Sequence, residues 1–389
     1  MARFKRLSVK GFRRLLDIDI DLRPLTVMIG INGVGKSSLL DALTLLVRSA
    51  AGELKETISE YGGLSSLLTY DRAAQLALGI TAEAEEEGAE WLDYALVLGM
   101  SGAGYSVDEE HLYIGADFQP PLVTYIDSYR KSIKYRSSAV TGSGGGAMMT
   151  EPSWVHDHME SSLSQVPKDL REAETLRREL ASATLYHVLN VDARAPVRLP
   201  QTMQPADLPG SDGEALVSCL YYLRETDRDR YEAIEDALRA AFPSFERLEF
   251  PPVAAGTLAM AWRDRAFSKP LYTHQLSEGT LRFLWLVTLL QSPGLPSICM
   301  IDEPEVSLHP EMLSLLADLL REASSRALVV VATHSDRLIR FLKPSEVLVV
   351  DMAEDGTASA TWADSLDLET WLDEYTLDEV WRMGRMGGR

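Results

Sequence analysis

Gly30, Ile31, Asn32, Gly33, Val34, Gly35, Lys36 and Ser37 follow the pattern of a glycine, four residues, then Gly-Lys-Ser, which is the composition of a phosphate cradle. Glycines let successive backbone N–H groups turn toward an anion, and a helix opening at Lys36 aims its positive end at the same point. The Lys36 ammonium adds a charge, the Ser37 hydroxyl can ligate magnesium, and Ser38 follows within reach of the phosphates. Far downstream, Asp302 and Glu303 close an apolar run, with Pro304, Glu305, Leu308, His309 and Pro310 behind them. Two adjacent acids at the carboxyl end of a buried strand can divide the work. Asp302 can join Ser37 in holding the metal, and Glu303 can orient and deprotonate an attacking water.

Thr333, His334 and Ser335 end the next apolar run. An imidazole there can reach a terminal phosphate and report its presence. Leu276, Ser277, Glu278, Gly279 and Thr280 stand just before the acidic run. Taken alone they read as a helix start with Ser277 as its cap.

These residues need a frame, and the hydrophobic pattern supplies one. Phe4, Leu7 and Val9 alternate with charged residues, as do Ile18 and Ile20 with Asp17, Asp19 and Asp21, which predicts an opening hairpin. Leu25 to Ile29 reads as a buried strand feeding the glycine-rich turn, and Leu39, Leu40, Leu43 and Leu46 continue as a helix. A hairpin tip is expected over Ala82 to Glu90, a strand from Trp91 to Leu98, and a mobile glycine-rich loop over Thr141 to Ala147. Amphipathic helices are expected over Lys168 to Val188 and over Gly213 to Ala241, the latter stopped by Pro243. Helix from Thr280, strand to Ile301, helix from Pro310 and strand to Ala332 then alternate, which implies a parallel sheet. No internal repeat is evident.

Composition narrows the classes. The chain has 389 residues, 46% of them hydrophobic and 25% charged, as in ordinary folded domains. No run of about eighteen apolar residues exists to span a membrane, and Met1 to Arg14 is charged where a signal peptide needs an apolar centre. A cytoplasmic location without membrane contact is the expectation. Cys219 and Cys299 are the only cysteines and read as reduced, buried thiols, which excludes a structural metal or disulfide framework. A formal charge of −20 confines any nucleic-acid contact to local patches. The candidates are the N-terminal cluster of Arg3, Lys5, Arg6, Lys10, Arg13 and Arg14, and Arg130, Lys131, Lys134 and Arg136 interleaved with Tyr129 and Tyr135. The second can stack on bases, or can be a solvated face.

Taken in order, cradle, Ser277 pentapeptide, acid pair and histidine resemble the motifs of ABC-type ATPases of the SMC, RecF and OLD-like group. The resemblance runs from Gly11-Phe12-Arg13 to the ending with Trp371, Tyr375, Leu377, Trp381 and Gly384. It implies an α/β, two-lobed ABC ATPase head (P-loop NTPase) with a compact helical insertion. The lobes would be residues 1–115 and 251–389, joined by a largely helical region at 116–250. It implies ATP and Mg2+ as cofactors, with Gly30, Asn32, Gly33, Gly35, Lys36, Ser37 and Ser38 on the nucleotide, Ser37 and Asp302 on the metal, and Lys36, Glu303 and His334 in catalysis. Ser277 and Gly279 of a second copy would complete each site, so a homodimer or higher homo-oligomer sandwiching ATP is expected.

The region between the lobes has no long coiled coil, and the residues after His334 are too few for a Toprim nuclease domain. Any nuclease or other effector would therefore be a separate chain. Gln75 is the candidate for the glutamine that couples nucleotide to substrate in this group. The expected function is an ATP-hydrolysing switch in a DNA-related process, whether repair, chromosome maintenance or antiviral defence. An ATP-locked scaffold with little turnover is the alternative, and the apolar tail with Trp371, Leu377, Val380 and Trp381 would either dock a partner or cover its own head. A transporter subunit fits less well, because Glu-Pro-Glu leading to Leu-His-Pro replaces the Leu-Asp usual there.

Overall fold

The strands that carry the cradle, the acids and the histidine are apolar on both faces, and such strands need a cover on each side. The computed structural model shows both covers; it describes residues 3–84, 91–102, 104–115, 121–130, 132–136 and 149–387. At its centre lies a six-stranded sheet in the order Thr184–Tyr186, Ile298–Asp302, Leu328–Thr333, Leu25–Ile29, Val347–Met352, Ala358–Trp362. The first five strands run parallel and the last is antiparallel to its neighbour. Side chains alternate between faces. Met28, Met300, Val330 and Val350 enter one core, while Val27, Ile301, Val331 and Val349 enter the other.

The first core is closed by the helix Lys36–Ala51 and by an eight-stranded antiparallel sheet. That sheet starts with the expected hairpin, in which Val9 faces Ile18. It continues through Gln75–Glu83, Trp91–Ser101 and Gly104–Gly115 to Val123–Tyr129, Ser132–Arg136 and Met149–Thr150. The second core is closed by the helices Leu216–Thr226, Arg228–Ala241, Glu278–Gln291 and Met312–Ala323. Glu278–Gln291 is buried almost all round from Leu281 onward, as its apolar sequence requires.

Several expectations change. The helix expected to reach Val188 ends at Ser182, because Thr184, Leu185 and Tyr186 pair with the strand that bears the acids, where β-formers gain ladder bonds. The helix expected over Gly213 to Ala241 is two helices, broken at Asp227, whose carboxylate caps the second by accepting the Arg230 N–H at 3.3 Å. Val123–Tyr129 and Ser132–Arg136, expected within a largely helical insertion, are strands that lengthen the antiparallel sheet, with Tyr125 and Ile126 buried. The glycine-rich stretch 141–147, the tip at 85–90 and Lys131 lie outside the described residues. Cys219 and Cys299 are buried free thiols. The tail covers its own head: Leu377 and Val380 are buried in the second core, and Trp371 and Trp381 pack against it. Among the described residues no helix is long and apolar enough to cross a membrane.

One buried carboxyl ties the antiparallel sheet to the short helix Ser162–Gln165. Glu110 accepts the backbone N–H groups of Ser162 and Leu163 at 2.5 and 2.8 Å and the Tyr94 hydroxyl at 3.0 Å, while burial drives its pKa upward. Glu110→Ala leaves these buried donors unpaired and is expected to cost about 3–5 kcal/mol in denaturant unfolding. Glu110→Gln, which keeps an acceptor, is expected to cost clearly less, and equal costs would remove the hydrogen bonds as the cause.

Candidate functional site

The cradle forms where the strand Leu25–Ile29 leaves the sheet. Gly30 passes so close to the last parallel strand that a Cβ there would lie 2.2 Å from the Val350 carbonyl oxygen. Gly33 and Gly35 have φ of 79° and 126°, conformations that side chains resist. The helix then opens at Lys36 with its N-terminus toward the loop. Lys36 is 4% exposed, and its ammonium donates to the Gly30 and Ile31 carbonyls at 2.7 and 3.0 Å. Burial lowers its pKa to about 8, against the pull of Asp302 and Glu303.

The acids and the histidine reach the same place from the neighbouring strands. Lys36 Nζ lies 3.2 Å from His334 Nδ1, and His334 Nε2 lies 3.5 Å from Glu303 Oε1. Burial first, and then the Lys36 charge, lower the His334 pKa, so the neutral imidazole is favoured near neutral pH. In that state Nδ1 accepts from the ammonium, which leaves the proton on Nε2 facing Glu303. Glu303 continues the ladder by donating its N–H to the Ala332 carbonyl at 2.8 Å, and then turns at a φ of 50°. Asp302 stands beside it, its pKa raised by burial and by the Glu303 charge. An open cleft of about 540 Å³ receives Asn32, Gly33, Gly35, Lys36, Ser37, Ser38, Glu303 and His334. Asp302 faces the adjoining recess with Trp285 and His187.

Three residues here escaped sequence reasoning. Arg13 and Arg14 line the cleft although they read as part of a surface basic cluster. Arg13 sits at the hairpin turn with φ 51°, ion-paired to Asp41 and stacked over Phe12 and Tyr61. Arg14 donates to the Gly356 carbonyl at 3.2 Å. Only the packing of the antiparallel sheet over the cradle carries that turn to the cleft; Gly11 permits it, since a Cβ there would lie 2.3 Å from the Gln75 carbonyl oxygen. His187 follows the edge strand, 3.9 Å from Asp302; recognising Thr184–Tyr186 as a strand would have found it. Gln75 opens a strand of the antiparallel sheet, donates to Asp108 at 2.9 Å, and is not among the residues that line the cleft.

Ser277 is exposed and caps the helix Glu278–Gln291 by accepting the Thr280 N–H at 3.2 Å. A Cβ on Gly279 would lie 2.5 Å from the Ser307 carbonyl oxygen, so this helix rests directly on the turn behind the acids. Arg282 adds bonds to Ser307 and to the Leu189 carbonyl. Neither Ser277 nor Gly279 lines the cleft of its own chain.

Comparison with known proteins agrees with this geometry. A family model described as "AAA ATPase domain" matches residues 3–96, and one described as "AAA domain, putative AbiEii toxin, Type IV TA system" matches residues 157–340. An SMC head bound to the C-terminal winged-helix domain of ScpA superposes with a TM-score of 0.57 at 14% identity, over 92% of this chain and 97% of that one. An SMC head with an extended coiled coil, bound to the C-terminal domain of ScpA derived from Pyrococcus furiosus, gives 0.53 at 12% identity, over 98% of each chain. The chain has the fold of SMC head domains. A curated relative called OLD nuclease, from Thermus scotoductus, is 54% identical over 43 residues, which is 11% of this chain and only 8% of that protein.

The lowered pKa of Lys36 would make binding of a nucleoside triphosphate in this cleft depend on pH. Phosphate favours the ammonium, so the bound-state pKa lies above the free value of about 8. Between the two values binding must take up a proton. ATP affinity is expected to hold steady below about pH 8 and then to weaken by up to about tenfold per pH unit. Equilibrium titration from about pH 7 to 9.5 checks this, with Lys36→Met expected to bind weakly and to lose the alkaline fall.

Proposed function

We propose that this head hydrolyses ATP at sites shared between two copies of itself and so acts as a switch in a DNA-related process. The observation that carries the reading is the row of Lys36, His334 and Glu303 along one cleft, with the exposed Ser277 cap standing outside it. An anion-binding helix start that its own cleft does not use suits the nucleotide of a second copy.

In this reading the cradle amides and Lys36 hold the phosphates, and Arg13 and Arg14 add positive charge at the rim. Among the described residues no three His, Cys, Asp or Glu side chains cluster as a metal cage. A magnesium ion would then be held by Ser37, Asp302 and the phosphates, a donor set that suits a hard cation sharing its ligands with substrate. When bound it would supply charge to offset that of the phosphate oxygens. Glu303 orients a water and takes its proton as the oxygen attacks the γ-phosphorus and the bond to ADP breaks. His334 donates from Nε2 toward the terminal phosphate. Ser277 of the second copy meets the same phosphate from the other side, so that ATP holds the pair together and hydrolysis releases it.

For the wider role, SMC heads of like fold bound to ScpA domains support a protein partner, and the short match to an OLD nuclease supports an effector such as a separate nuclease. Local DNA contact is supported by the hairpin of Val123–Tyr129 and Ser132–Arg136. There Tyr129 is exposed, Arg130 lies over its ring at 5.4 Å, and Lys134 is exposed.

Glu303→Gln is expected to keep ATP binding, to lower phosphate release by at least about a hundredfold, and to trap a dimer in ATP on size-exclusion chromatography with light scattering. Unchanged turnover would remove Glu303 from the chemistry. Neutralising Arg130, Lys134 and Arg136 together is expected to weaken DNA binding and to lower the log-log salt slope by about 2 to 3. An unchanged slope would return the hairpin to a solvated face.

A further inference from the structure

Glu305 stands two residues past Glu303, and nothing in the chemistry proposed above uses it. Its carboxyl group turns inward. The Thr333 hydroxyl donates to one oxygen at 2.5 Å, while the other oxygen is buried without a hydrogen-bond partner. Burial pushes its pKa up. A buried carboxyl with one unpaired oxygen is a poor way to hold a fold together, since an apolar side chain of similar size would avoid the desolvation cost. Groups kept in spite of such a cost are the ones to ask about function.

Its partner gives the answer a location. Thr333 is fully buried, and its hydroxyl oxygen also accepts the Ser335 N–H at 2.9 Å. His334 lies between the two, so the backbone on both sides of the imidazole is gathered on this hydroxyl. On the other side, Glu303 holds a φ of 50°, a conformation that persists only where the surroundings over-determine it. One anchor is the bond from the Glu303 N–H to the Ala332 carbonyl. The bonds from Val306 to Glu303 and from Leu308 to Glu305 are local to the turn, so the second tie from turn to strand is the Glu305 carboxyl, which accepts from the Thr333 hydroxyl and feels the His334 backbone N–H. These two ties bracket Glu303 and set its carboxylate 3.5 Å from His334.

We propose that Glu305 is a positioning residue, whose bond to Thr333 fixes the acid turn against the histidine strand and so holds Glu303 and His334 at their working separation. The inference rests on the reading of this cleft as a site of ATP hydrolysis, and it adds a residue that touches neither nucleotide nor water. It separates catalysis from stability. Glu305→Met, which fills the same space without the bond, is expected to melt at or above the wild-type temperature. It should bind ATP within about twofold of wild type and turn over at least about tenfold more slowly. Glu305→Gln, whose amide oxygen still accepts from Thr333, is expected to recover most of the rate. Thr333→Val should reproduce the slow phenotype, and the double variant should be no slower than either single one.

The measurements are phosphate release, ATP affinity and melting temperature on the full chain, with Glu303→Gln beside them. If Glu303→Gln abolishes turnover while Glu305→Met and Thr333→Val hydrolyse at the wild-type rate, the positioning role is wrong and the site reading stands. If Glu303→Gln itself turns over normally, the site reading fails first. A loss in Glu305→Met that tracks a fall in melting temperature or in ATP affinity would reduce the pair to a structural contact and overturn the proposal. Should Glu305→Met fail to fold, Glu305→Leu, which removes the same bond without stranding a carboxyl, decides between these outcomes.

Discussion

A desolvated ammonium is the centre of this molecule. Lys36 is withdrawn into its own loop, bonded to the Gly30 and Ile31 carbonyls, and faced by an imidazole whose pKa is lowered first by burial and then by the lysine charge. Two carboxylates stand behind that imidazole and pull the other way. Positive and negative groups are thus set close together in a place that water only partly reaches, where charges act on one another more strongly than in bulk solvent. A polyanion entering such a site does not meet a bare positive pocket. It would enter a balanced arrangement in which the ammonium is already bonded to its own carbonyls. Everything else in the fold serves to bring those groups to one point from segments about 300 residues apart in the chain.

The parallel sheet achieves this because its strands end together. The cradle, the acid pair and the histidine each follow the carboxyl end of a strand, and those strands are neighbours in the sheet. His187 obeys the same rule from the edge strand, since Tyr186 pairs with Ile301 and places it level with Asp302. Carboxyl ends of parallel strands are where open α/β sheets gather their ligands. The antiparallel sheet contributes differently, through a hairpin turn that reaches over the cradle and delivers Arg13 and Arg14.

Legibility in the sequence followed the range of the physics. The cradle could be read because glycine spacing, lysine and helix start are local, and the acid and histidine strands because buried runs of Ile, Val and Met stand out. Ser277 was legible as a cap, and the structure makes it one. Thr184–Tyr186 was not, because three residues after a strongly amphipathic helix continue its pattern, and only pairing with Ile298–Asp302 makes them a strand. Val123–Tyr129 lacked a clean alternation, and the sheet edge formed by Gly104–Gly115 decides its conformation. Arg13 and Arg14 look like any surface basic pair until a second sheet lies over the cradle. Gln75 was chosen by residue type alone, and its position in the antiparallel sheet takes it elsewhere.

The backbone contact between Gly279 and Ser307 leaves no compressible side chain between the capped helix and the turn that bears Glu303. A push on one is a push on the other. If two copies paired as proposed, the helix start meeting the neighbour's nucleotide would be geared to the acid that serves its own cleft. The two halves would fire in concert rather than as independent engines, and the absence of a Cβ at residue 279 would set how tightly they are synchronised.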